Sequence, residues 1–221
     1  MEEFVREFFS AYIYYPYWIY GGIVLFMMAS GFGLPIPEEV VLVSAGILGY
    51  LSLNPDHSSY PPPFPDAPMV NVYVLAGVSL AAVMGADFLI YNLGKRFGPR
   101  FFRTKFFARL MTPERMTRSQ EWVRKYGYFT VFIFRFTPGV RFPGHLMCGA
   151  MGLSPYKFVA VDSFAALISV PTQVLLVSFY GEVILEYLRE FKIILFSILA
   201  IVGLFYLLRY LARKYLNRKT T

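Results

Sequence analysis

Two arginines, Arg135 and Arg141, stand six residues apart in FRFTPGVRFPGH (residues 134–145), inside a chain that is 57% hydrophobic. On one continuous helix, six residues turn the chain by about 600°, which puts the two side chains on different faces, unable to share a ligand. Pro138-Gly139 and Pro143-Gly144 interrupt such a helix and permit a turn that brings the guanidiniums together. Arginine's planar fork binds phosphate through two parallel hydrogen bonds and stays charged, so a converging pair suits a phosphorylated headgroup. The plainer alternative is that both side chains snorkel to the cytoplasmic surface.

Acids that could answer these cations lie far away in sequence. Glu38 and Glu39 follow Pro35 and Pro37, where a helix can begin, and either carboxylate could simply offset the helix dipole. If that segment dips into a membrane, at least one of the two faces the interior, where burial favours the neutral form and lets the group carry a proton. Asp87 sits in the apolar run SLAAVMGADFLIYNLG, with Tyr91 one turn later and Lys95 a turn beyond that. It either pairs with Lys95 or marks an ion or proton pathway. Tyr91, His145 and Asp162 are candidates for a supporting layer: His145 as a structural hydrogen-bonding group or a proton relay, Asp162 as an arginine partner or cavity liner.

The elements that must hold these residues are membrane helices. Charged residues make up 16% of the chain and its mean hydropathy is +0.50, which is too apolar for an ordinary soluble domain. Runs long enough to span lie near residues 12–30, 69–94, 156–180 and 191–208, since about 20 residues cross the hydrocarbon. The N-terminal MEEFVREFFSAYIYYPYW is acidic and aromatic, which reads as a retained first helix rather than a signal peptide. Cys148 is the single cysteine, so no internal disulfide is expected, and neither a zinc site nor a cofactor is indicated.

Charge placement orients the helices. Residues 95–125 carry ten Lys/Arg against Glu114 and Glu121, the tail from Arg209 adds five more, and the Pro-rich stretch 54–68 has none. The positive-inside rule puts the basic segment and the C-terminus in the cytoplasm and residues 54–68 outside. Phe101, Phe102, Phe106 and Phe107 interleave the basic run, which fits an amphipathic helix on anionic lipid over residues 97–125 better than a nucleic-acid surface. Counting crossings, residues 126–154 must enter and leave on the cytoplasmic side, and residues 31–53 on the outer side if the N-terminus is also cytoplasmic. The expected fold over residues 1–221 is therefore an all-α polytopic membrane protein. It has inverted repeats, two re-entrant helical hairpins and about four spanning helices. Gly/Pro-broken segments meeting near the midplane are the sequence pointer to a transport site, because irregular backbone at that depth must line a cavity or be buried in protein.

At GLPIPEEVVLVSAGILGYL (33–51), GADFLIYNLGKRFG (85–98) and FRFTPGVRFPGHLMCGAMGLSPYKF (134–158) the chain resembles the DedA family of bacterial inner-membrane proteins, relatives of the VTT-domain lipid scramblases. The resemblance runs over roughly residues 30–182. It implies re-entrant hairpins and proton-driven flipping of undecaprenyl phosphate, or in some members of phosphatidylethanolamine. By position, Glu39 matches the family's hairpin carboxylate, Asp87 its second-motif aspartate, and Arg135 and Arg141 its two arginines. Glu38 stands where Gly or Ser is usual, Cys148 where Ala is usual, and residues 54–68 are longer and richer in proline.

The expected function is lipid-phosphate translocation in the inner membrane, with Arg135 and Arg141 on the phosphate and Glu39, Asp87 and Glu38 coupling protons. A phospholipid flippase or scramblase, and a proton-coupled ion or osmolyte transporter, are the alternatives. A lipid phosphatase would need a second, nucleophilic histidine, and the only other histidine, His57, lies in the polar loop. Which lipid is carried, whether the acids take protons or sodium, and whether the chain forms a homo-oligomer stay open at this level.

Overall fold

The computed structural model describes residues 7–31, 38–58, 60–102, 113–137 and 141–183, and these are all-helical apart from turns and connections. The helices are α1 (Pro16–Gly31), α2 (Glu38–Leu53), α3 (Val72–Phe102), α4 (Pro113–Tyr126), α5 (Phe129–Phe136), α6 (Arg141–Ala150) and α7 (Pro155–Phe179), with a short 3-10 turn at Pro55–His57. Two of them are long and apolar enough to cross a membrane, over Val72–Gly98 and Pro155–Phe179, whereas α1 is a shorter apolar helix. The two long helices match the spanning runs expected near 69–94 and 156–180, while the run near 12–30 forms only the shorter helix α1; the run at 191–208 lies outside the described residues.

Local chemistry sets the helix ends. Asn71 caps α3 by accepting from the backbone N–H groups of Tyr73 (3.0 Å) and Val74 (3.1 Å), satisfying two of the donors a helix start leaves open. Its own N–H donates to the Tyr20 hydroxyl at 2.9 Å, tying α1 to the start of α3. The apolar part of α3 ends at Gly98, whose φ of +43° breaks the helix beside exposed Lys95 and Arg96. Gly152, at φ +73°, ends α6 in a Schellman turn: Leu153 N–H donates to Cys148 O (3.1 Å) and Gly152 N–H to Gly149 O (3.0 Å). That turn leads directly into α7, which opens on Pro155, a residue suited to the first helical position.

Two glycine seams determine which helices meet. At Gly94 of α3 a side chain would overlap the Leu146 carbonyl of α6, and at Gly149 of α6 it would overlap the Tyr91 carbonyl of α3. The two backbones therefore touch, a packing that only small residues permit. In the same manner Gly46 and Gly49 of α2 seat against Val177 and Ser178 of α7, and the buried Ser178 hydroxyl donates to Gly46 O at 3.2 Å.

Packing among the described residues leaves three apolar clusters, and a polar layer lies between two of them. One holds Met27, Leu42, Leu75, Val83, Val170 and Val174; the other holds Ile90, Tyr91, Phe134, Leu146 and Phe158. Asp87 lies between Val83 and Ile90 along α3, and Asp162 lies between Phe158 and Val170 along α7, so both aspartates fall at the boundary. The outer faces carry exposed Leu25, Phe26, Phe88, Phe164, Leu167, Ile168 and Leu176, an apolar surface suited to lipid rather than water. Helix α4 is amphipathic: Ser119 and Val123 are buried while Arg118, Arg124 and Lys125 are exposed, and Trp122 stacks on Phe134 of α5 with ring centres 6.2 Å apart.

Candidate ion-pair site between the helices

Five helices each bring charge to the boundary layer. Asp87 of α3 is fully enclosed and binds cations through both oxygens. Arg135, in the last turn of α5, donates from Nη1 to Oδ2 at 2.8 Å. Arg141, in the first turn of α6, donates from Nε (2.9 Å) and Nη2 (2.7 Å) to Oδ1. His145 lies one turn beyond Arg141, on the same face of α6, and its Nδ1 is 3.1 Å from that same Oδ1. The glycine seam between α3 and α6 is what permits this approach.

Arg135 is held at several points. Its Nη1 also donates to Asp162 Oδ1 of α7 at 3.0 Å, and its Nε donates to Ser169 Oγ at 2.9 Å. Asp162 and Ser169 are seven residues apart, about two turns, and so share one face of α7. Glu38, in the first turn of α2, completes the group, with Oε1 3.8 Å from Arg135 Nη2 and Oε2 in contact with Arg141 Nη1. Enclosure is graded: the Arg135 side chain is 3% exposed, against 12% for Glu38 and 19% for Arg141. The Glu38–Arg141 pair is thus the open side of the cluster.

The residues singled out from sequence divide as follows. Arg135, Arg141, Asp87, Glu38, Asp162 and His145 meet in one cluster. Glu39 is exposed. Tyr91 is buried but faces another layer, where its hydroxyl donates to Leu153 O and its ring stacks on Phe158 at 4.5 Å. Phe158 in turn meets the His145 ring edge-on at 5.2 Å, so Tyr91 supports the site through packing. Lys95 is exposed, and the cations on Asp87 are the two arginines. Ser169 was not singled out, since a serine within FAALISV gives no signal until Asp162 is seen two turns earlier.

Asp87, His145 and Asp162 each place one ligand atom within 4.8 Å of the others, a spacing a metal ion could accept. Both aspartates, however, already bind guanidinium nitrogens at 3.0 Å or less, and a metal there would sit against two fixed positive charges. The arrangement is an ion-pair cluster rather than a metal centre. Such a group buried in an apolar bundle is costly, and within membrane segments ionisable residues mark pathways or binding sites.

The comparisons with known proteins bear on the same region. A model of the VTT domain matches residues 36–182, which includes every member of the cluster. An uncharacterized membrane protein of Haemophilus influenzae is 33% identical over 76% of this chain and 71% of its own length. An inner membrane protein of Borreliella burgdorferi is 26% identical over 90% of this chain and 88% of its own. An uncharacterized membrane protein of Mycobacterium tuberculosis is 29% identical over 78% and 73% respectively. No solved structure matches. With an all-helical, lipid-suited body and a family match over most of its length, the chain belongs to the VTT-domain (DedA) family of membrane proteins.

Proposed function

We propose that this protein flips a lipid phosphate across the bacterial inner membrane, with undecaprenyl phosphate the preferred cargo and the proton gradient the driving force. The observation that carries this reading is the convergence of Arg135 and Arg141 on the buried Asp87, between helices whose outer faces suit lipid. Two fixed guanidiniums at one point bind a phosphate well, and Arg141 and Glu38 are the members open to an incoming headgroup. A phosphate would replace the Glu38 carboxylate on Arg141 while the isoprenoid chain stays in the bilayer. Glu38, released, and Asp87 and Asp162, retained, are acids whose protonation can follow the cargo; Glu39, exposed outside the cluster, is assigned proton exchange with the surroundings in this reading.

Alternating access in this reading rests on an inverted-repeat arrangement, which the pairing of short with long helices supports. Short helix α2 of the first half packs along long helix α7 of the second, and α6 of the second half packs along α3 of the first. Glu38 precedes its seam glycine Gly46 by eight residues, and Arg141 precedes Gly149 by eight. In this reading, residues 31–53 and 126–154 are inverted re-entrant hairpins that bring opposite charges to a common point, and both termini are cytoplasmic.

The test is flux in reconstituted vesicles. Undecaprenyl phosphate movement should rise with an imposed proton gradient and fall at least tenfold in the R135Q/R141Q double variant. Equal flux in that variant sinks the phosphate reading. Movement of phosphatidylethanolamine in preference to undecaprenyl phosphate would transfer the site to a phospholipid headgroup, and ion flux without either lipid would favour an ion transporter.

A further inference from the structure

His145 is completely buried, its Nδ1 lies 3.1 Å from Asp87 Oδ1, and its Nε2 faces Asp162 Oδ1 at 3.9 Å. That Nε2 has no hydrogen-bond partner among the described residues. A neutral imidazole offers one N–H and one lone pair: with the proton on Nε2 the Nδ1 lone pair meets Asp87 Oδ1 at 3.1 Å, and with it on Nδ1 the buried Nε2 is left without a partner, 3.9 Å from Asp162 Oδ1. The imidazolium, with N–H on both nitrogens, satisfies Asp87 and presents its second N–H to Asp162 as an ion-pair partner. Buried polar groups left in conflict are rare and call for a reason.

The charges around the ring lead to the same conclusion. Facing it are Asp87 from α3, Asp162 from α7, Arg135 from α5, Arg141 from its own helix α6, and Glu38 from α2 across the arginines. Tyr91 points away, to Leu153 O, and Phe158 meets the ring by its edge. The described cluster has three carboxylates and two guanidiniums, and so is one positive charge short in a setting where an unbalanced charge is expensive. From this geometry we infer that His145 is the third cation of the site, carrying a proton on Nε2 between Asp87 and Asp162.

Taken with the proposed function, on which this step rests, the inference assigns His145 a part in holding and releasing the headgroup. A singly charged phosphate that replaces Glu38 on Arg141 leaves the cluster neutral only while His145 keeps its proton. Loss of that proton removes one positive charge beside the phosphate, leaves the site net negative and favours release. His145 thus keeps the site neutral with either Glu38 or a singly charged phosphate on Arg141, and its deprotonation is a step that expels the headgroup.

The chain has two histidines, so the H57Q variant, with ¹⁵N-labelled histidine, reports His145 alone. Purified full-length H57Q protein in detergent, with no lipid phosphate added, should show both ring nitrogens of His145 protonated at pH 7. In the H57Q/D162N variant, where the third carboxylate is neutral, the signal should move to a ring with one bare nitrogen. A neutral His145 at pH 7 in the H57Q protein overturns the inference, and so does a signal that D162N leaves unchanged. Because no lipid is present, a neutral histidine leaves the phosphate reading standing, whereas unaltered flux in R135Q/R141Q removes that reading and leaves a protonated His145 intact.

Discussion

Arg135 and Arg141 belong to different helices and bind opposite oxygens of the same carboxylate: Arg135 meets Oδ2 of Asp87 and Arg141 meets Oδ1. Asp87 is consequently the clasp between α3, α5 and α6, and Glu38 of α2 bridges the same two arginines from the more open side. Removing the clasp leaves two guanidiniums facing each other in a buried layer.

Asp87→Ala should therefore be among the most damaging substitutions in the chain. Breaking one side of a buried ion pair costs roughly 3–5 kcal/mol, and here two pairs lose their partner. Asp162→Ala should cost less, because Asp162 holds one arginine nitrogen at 3.0 Å. Thermal unfolding of the purified proteins in one detergent should rank wild type above D162A and D162A above D87A.

Glu38 and Glu39 should separate in a binding assay. Glu38 occupies Arg141, so E38Q weakens the internal competitor and should raise retention of a lipid phosphate by roughly tenfold, about 1.4 kcal/mol. Glu39 is exposed, and E39Q should leave retention within about twofold, its effect falling on gradient-driven flux. Native mass spectrometry of mildly extracted protein measures the retained lipid directly.

The glycine seams give a prediction that involves no charge. Gly149→Ala places a methyl on the Tyr91 carbonyl and Gly94→Ala places one on the Leu146 carbonyl; both neighbours are backbone and cannot rotate away. Each should destabilise by about 1–3 kcal/mol or more and move α6 away from α3, weakening phosphate retention as well. Gly77→Ala, with open space around it in the same helix α3, should leave both readings close to wild type. Unfolding and lipid retention measured side by side test all three.

Much of this layout is legible in the sequence, for identifiable reasons. The long apolar runs of α3 and α7 declare themselves by length and composition, and their ends by Asn71, Gly98 and Pro155. Pro138-Gly139 shows that Arg135 and Arg141 need not lie on one helix, which is what lets them face a common partner. The choice between Glu38 and Glu39 is different. Adjacent helix positions point about 100° apart, and only the seating of Gly46 and Gly49 on α7 fixes which one turns inward. His145 and Asp162 look ordinary as single residues; their weight comes from α6 and α7 meeting α3, a tertiary fact with no local signature.

Ser169 is the clearest example of a role hidden in composition, and it yields the last prediction. Its hydroxyl accepts from Arg135 Nε at 2.9 Å, on the face of α7 that also presents Asp162. Arg135 is thus bound along its fork, by Ser169 at Nε and by two aspartates at Nη1, and its orientation is fixed rather than merely its charge. Ser169→Ala leaves a buried N–H without an acceptor, and a hydrogen bond to a charged group contributes about 1.5–3 kcal/mol. S169A should lower stability by about that amount and should reduce phosphate retention, because the guanidinium can tilt away from Arg141. S169T keeps an acceptor oxygen at the same place and should restore retention even if its extra methyl costs some stability. Retention in S169A equal to that of wild type would mean that Asp87 and Asp162 suffice to aim Arg135, and that Ser169 serves only to satisfy the helix interior.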